Sequence, residues 1–237
     1  MSSAARGGPA SGLAELGDRA PLLFETLSRA QVLEACMAPL HGRVHALAPG
    51  PQAEVPATRL SARRPPLRPC IIRGVLLDLV RRARRPLAPG TPLTRLELDE
   101  CAELQGVTLE PGDALLLRTG FAETRAPGGE PSSAGRSAPP SRHGPLPGLD
   151  PALAGWLRER GLALVGSDAP SIEARLGLAD PDADRLRGAA LDAGLLLATD
   201  LLLAGLAADC AATGAAAFLL GVPAPDALGI ARPAAVL

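Results

Sequence analysis

Two near-continuous apolar runs, residues 71–80 and 114–118, constrain this chain more than any other feature of it. Runs of this kind mark strands buried on both faces, as in parallel or mixed sheets. Between them, residues 94–104 place apolar side chains at helical spacing. Thr94 stands at the N-cap, Glu97 three residues on completes a capping-box spacing, and Gly106 stops the helix. A Glu110-Pro111-Gly112-Asp113 turn then delivers the second run. Strand, helix, strand is the unit from which α/β domains are assembled.

The remaining segments extend that unit. Residues 27–37 read as a helix, with Ser28 as N-cap and Gln31 at the capping-box position, and residues 43–47 alternate as a short strand. Residues 49–69 are rich in Pro and Arg, without periodicity, and read as a connector. Arg81, Arg82, Arg84 and Arg85 read as a solvated turn, and residues 126–148, rich in Gly, Pro and Ser, as a surface excursion. Asp150-Pro151 opens a helix that runs to Arg160 and stops at Gly161. Strands are expected at 162–166, 195–197 and 215–221, and helices at 183–193 and 201–212. The tail, 230–237, is expected to dock as an edge strand despite Pro233. Residues 1–24 are expected to be disordered and 25–237 to form one α/β domain.

Composition narrows the function. All 24 basic residues are Arg, against 25 Asp and Glu, for a net charge of −1. A phosphate-neutralising surface needs a basic surplus, so nucleic acid is not an expected partner. Hydrophobic residues make up 47% and aromatics 2%, so the core is aliphatic. Cys36, Cys70, Cys101 and Cys210 are too scattered for a zinc ribbon or a disulfide framework. The N-terminus has no apolar segment of the signal-peptide kind. The most apolar stretch, 194–222, is broken by Asp200, Asp209, Thr213 and Gly214, which argues against a membrane span. The expected location is the cytoplasm. No Gly-rich nucleotide loop and no Gly-x-Ser-x-Gly element occurs.

Several blocks resemble the cyclase family, metal-dependent hydrolases that include bacterial kynurenine formamidase. They are Arg-Gly-Val-Leu-Leu-Asp at 73–78 and Glu-Pro-Gly-Asp-Ala-Leu-Leu-Leu-Arg-Thr-Gly at 110–120. Pro-Gly-Leu-Asp at 147–150, Trp156-Leu157 and Gly-Leu-Ala-Leu-Val-Gly-Ser-Asp at 161–168 continue the set. Residues 206–211 and 29–48 resemble an actinobacterial branch of that family. The resemblance implies a single α/β domain with a mixed, partly barrel-like sheet flanked by helices. It implies hydrolysis of amide-like bonds, of arylformamidase type in tryptophan or secondary metabolism, with water on zinc or manganese. It also implies a small-molecule ligand and a homo-oligomer.

The ligand set that the resemblance implies is not legible here. A His-x-Gly-Thr-His-x-Asp-type segment is expected before the first block, but the connector runs directly into Ile71. A later His and a Glu fall on Leu186 and Thr199. His41, His45 and His143, the only histidines, read as surface residues. No cofactor is therefore expected in this chain. Two readings of the family role follow: a hydrolase with impaired or altered activity, or a non-catalytic small-molecule binder or subunit.

Asp168 and Asp200 are the remaining candidates for a catalytic role. Asp168 ends an expected buried strand, where α/β sheets place functional groups. Its alternative is a cap on the turn Ala169-Pro170-Ser171. Asp200 is a potential ligand beside Thr199, or a helix N-cap. Asp78 is a buried functional acid or a strand-exit residue bonded to turn amides. Ser167 and Ser171 have no His close in sequence.

Overall fold

The computed structural model describes residues 43–47, 59–61, 70–125, 144–177, 184–222 and 234–237. The helix expected at 27–37, the N-terminal 24 residues, His41 and His143 lie outside the described residues. In chain order the strands are β1 (Val44–Ala46), β2 (Arg59–Ser61), β3 (Cys70–Asp78), β4 (Pro92–Leu93), β5 (Ala114–Arg118), β6 (Gly148–Leu149), β7 (Leu164–Ser167), β8 (Leu196–Thr199), β9 (Ala217–Val222) and β10 (Ala234–Val236). The α-helices are α1 (Leu79–Ala83), α2 (Arg95–Leu104), α3 (Ala154–Arg160), α4 (Arg185–Asp192) and α5 (Ala204–Thr213).

Eight strands form one mixed sheet in the order β1-β10-β9-β3-β5-β7-β8-β2, and β4 pairs with β6 in a separate ribbon. Strands β3, β5, β7 and β8 run parallel. β9 lies antiparallel to β3, β10 to β9, β1 to β10 and β2 to β8. The two apolar runs thus lie side by side in the middle of the sheet, with Leu76 opposite Leu116 and Asp78 opposite Arg118.

Strand pleating sorts the core into two layers. Ile72, Leu76, Leu116, Leu164, Leu196 and Phe218 face Leu206, Ala207 and Cys210 of α5. Val75, Leu77, Leu115, Leu117, Val165 and Leu197 face the other way, onto Leu98 and Cys101 of α2, Trp156 and Leu157 of α3, and Leu186 of α4. Successive strand residues point to opposite faces, so an apolar strand with helices on both sides buries every position. Gly74 has a local reason: a Cβ there would sit 2.3 Å from the Phe218 ring.

Several expectations need correction. The apolar run at 71–80 is a strand only as far as Asp78, where β3 lies between β5 and β9, and Leu79 and Val80 open α1. The Arg-rich stretch after it is not simply a turn: Arg81 and Arg82 belong to α1, whose N-cap Asp78 accepts from the Arg81 N–H. Part of the connector is β2, paired with β8, and the end of the excursion is β6. The tail strand β10 is interior, between β1 and β9. For the strands the cause is shared: pairing partners distant in sequence supply the hydrogen bonds, and local composition does not report them. The capped helix forms as read, with Thr94 and Glu97 closing a full capping box.

Candidate active-site crevice at the carboxyl ends of the parallel strands

Parallel strands end together, so the carboxyl ends of β3, β5, β7 and β8 gather their terminal residues along one edge. Asp78 and Arg118, Thr119, Ser167 and Asp168, and Thr199 and Asp200 are those residues. Ligands of open α/β sheets bind at such an edge.

Asp78 and Arg118 close the first side. Arg118 Nη1 donates to both Asp78 oxygens at 3.0 Å, and its Nε donates to Glu123 at 3.0 Å. Gln105 finishes the strand: its Oε1 accepts the Asp78 N–H at 2.7 Å and its Nε2 donates to the Leu76 carbonyl at 2.5 Å. Beside them a cleft of about 20 Å³, lined by Leu76, Asp78, Gln105 and Cys210 among others, has room for about one water. Burial pushes the Cys101 and Cys210 thiols up to about 11 and about 12, with Asp78 adding to both. Burial thus favours the protonated thiol, the weaker nucleophile, at both.

Asp168 is buried at the end of β7. Its Oδ1 accepts from the Thr119 N–H at 2.9 Å and the Thr119 hydroxyl at 2.6 Å, and its Oδ2 from the Gly120 N–H at 2.7 Å. The carboxylate thus ties the exit of β5 to that of β7. Gly120 has φ +83°, and a Cβ there would meet Pro86 at 2.8 Å. Burial pushes Asp168 up to about 6, against the pull of its three donors. Both of its oxygens are engaged. The turn it was expected to cap is held by Ser167, whose Oγ accepts from the Ala169 N–H at 3.1 Å.

The ends of β7 and β8 are joined through backbone: the Asp200 N–H donates to Ala169 O at 3.1 Å and the Leu201 N–H to Ser167 O at 3.1 Å. Asp200 sits at φ 60°, a left-handed conformation that Asp tolerates better than most residues. It is not a helix N-cap: α5 begins at Ala204 with Leu203 at its N-cap. The Thr199 hydroxyl donates to Asp200 Oδ2 at 3.4 Å.

Leu186, in the first turn of α4, is fully buried in the core layer under the sheet. Its backbone N–H donates to Glu173 Oε2 at 2.9 Å. Glu173, itself fully buried, also accepts from Asp184 N at 2.6 Å and Arg187 N at 3.3 Å, and so caps α4 from outside the helix. Burial raises its carboxyl and these amides oppose the rise. Sequence reading missed Glu173, because its partners lie 11 to 14 residues away with no local pattern. His45 is on β1, its Nε2 2.9 Å from Asp209 of α5, which also pairs with Arg43. It does not approach Asp168 or Asp200 through any of these bonds.

A divalent metal needs several His or carboxylate ligands with free lone pairs. Leu186 offers none, and Asp168 is already bonded through both oxygens. Among the described residues no three His, Cys, Asp or Glu side chains come together as a metal site. The described residues therefore do not fit such an ion.

Residues 35–174 match the family model described as "Putative cyclase". The chain belongs to the cyclase family. A solved structure titled as a novel cyclase is 30% identical, with a TM-score of 0.57 over 70% of this chain and 53% of its own. Isatin hydrolase A from Ralstonia solanacearum is 15% identical, TM-score 0.55, over 90% of this chain and 98% of its own. Isatin hydrolase A from Labrenzia aggregata, solved with benzyl benzoate, is 14% identical, TM-score 0.53, over 82% and 93%. These last two likenesses show the shared fold. This cyclase-family chain spans about half the length of the novel cyclase, 53%. No curated protein matches it. Among its described residues no helix is long and apolar enough to cross a membrane.

Proposed function

We propose that this cyclase-family chain descends from metal-dependent hydrolases of amide-like bonds and has impaired or altered activity of that kind. The observation that carries this reading is the state of the crevice. Asp168 is bonded through both oxygens to Thr119 and Gly120, and Leu186, where the resemblance puts a family ligand, is a core residue whose N–H is held by Glu173. Both are committed to holding the fold. The alternative is a non-catalytic relative that binds a small molecule or serves as a subunit of a homo-oligomer.

Metal analysis of the purified full chain, with assays on N-formylkynurenine and on isatin, tests this. The isatin arm follows from the names of the two isatin hydrolases whose fold the chain shares. The expected result is substoichiometric zinc and manganese with hydrolysis at or near background. One tightly held metal per chain together with turnover of either substrate overturns the reading. It would establish arylformamidase-type or lactam hydrolysis instead.

A further inference from the structure

The joint between β3 and β5 holds one cation against two carboxylates. Arg73 of β3 is buried, and its Nη1 donates to Asp113 Oδ2 at 3.0 Å. The same nitrogen lies 4.0 Å from Glu110 Oε2, and Nη2 donates to Thr108 O at 3.4 Å. Asp113 precedes β5 and is fully buried. Its Oδ2 also accepts from the Glu110 N–H at 2.8 Å, while its Oδ1 is buried without a partner.

The charged groups facing Asp113 are thus Arg73, from β3, and Glu110, from its own turn. The start of β7 contributes only backbone: the Ala163 and Leu164 N–H groups point at the Asp113 carbonyl, at 2.9 and 3.5 Å. The cluster carries a surplus negative charge around a buried oxygen with nothing to receive from. That arrangement favours uptake of a proton. The Glu110 side chain is 43% exposed. It can stay ionised as the counterion of Arg73 once Asp113 is neutral, so protonation leaves no buried charge unpaired.

We propose that Arg73, Asp113 and Glu110 form a proton-binding site at the β3–β5 joint that stabilises the fold on mild acidification. The site lies at the start of β5, at the opposite end of that strand from the crevice residue Arg118. The inference is independent of whether the chain hydrolyses anything. Burial raises Asp113, the Glu110 amide and Arg73 lower it, and the Glu110 carboxylate raises it again, to about 6 in all.

Carboxyl carbon NMR of the full chain, labelled at Asp, gives the direct test. The Asp113 signal is assigned by its loss in Asp113→Asn, or, should that variant not fold, by through-bond correlation to its own backbone amide. The expected midpoint is about 6, and in Glu110→Gln it moves down by roughly half a unit or more, because a repelling charge is gone. The melting temperature of the wild type rises between pH 7.5 and pH 5.5 by about 2–4 °C, and Asp113→Asn removes much of that rise. A midpoint near the ordinary Asp value of about 3.9, or an unchanged midpoint in Glu110→Gln, overturns the proposal.

Discussion

Asp168 occupies the address of a catalytic acid and does the work of a clasp. Its three donors come from Thr119 and Gly120, two residues past the end of the neighbouring strand. A carboxylate that satisfies two buried backbone amides cannot be removed cheaply, since each orphaned amide costs about 1–3 kcal/mol. Asp168→Ala is expected to lower stability by about 3 kcal/mol or more, read by urea unfolding. A loss within about 0.5 kcal/mol, the range of ordinary surface changes, would show that the clasp is not holding the sheet edge. Asp78 follows the same pattern, engaged by Arg118 through both oxygens and by the Arg81 amide. Residue type and position at a strand end therefore locate a crevice, and the hydrogen-bond partners decide what is free to react in it.

At the scale of elements, helices here are anchored in two different ways. α2 carries its own signal: the Thr94 hydroxyl accepts from the Glu97 N–H, and Glu97 reaches back to the Thr94 N–H at 2.9 Å. Thr94→Ala is expected to cost about 1 kcal/mol, seen as a drop in the urea midpoint with an unchanged m-value. A neutral result would mean that packing of Leu98 and Cys101 alone fixes this helix. α4 has no side-chain cap from its own N-cap residue and depends on Glu173, across a segment of 11 or more residues. The first kind of anchor is readable in four consecutive residues. The second exists only once the chain has folded back.

For the whole molecule, the consequence lies in the response to pH. Asp113 and Asp168 sit just before and just beyond the two ends of β5, and burial lifts each to about 6. A folded value above the unfolded one, about 3.9 for Asp, means the native state binds the proton more tightly. Stability from these groups is then full below about pH 4 and is lost as pH rises through about 6. Each contributes at most a few kcal/mol across that window. Thermal unfolding at fixed ionic strength should show stability falling from pH 5 to pH 7, and the double variant Asp113→Asn, Asp168→Asn should flatten the profile. A profile rising over the same interval would place the dominant titration elsewhere.

The local signals in the sequence were sufficient for the α/β class, for the central strands at 114–118 and, up to Asp78, at 71–80, and for the capped helix between them. Each of these depends on the period of apolar side chains or on a cap within one turn, so short-range physics is enough. The family resemblance was legible for a related reason: its blocks are the strands and turns that build the sheet. Only the tertiary structure decided that β10 lies inside the sheet, that β2 pairs with β8, and that Asp200 is not a cap. It alone decided that Asp168 is bound to Thr119 and Gly120, 49 and 48 residues away, and that Leu186 is packed under the sheet. Whether a carboxylate is free is set by which donors the fold brings to it, and those donors lie on other strands.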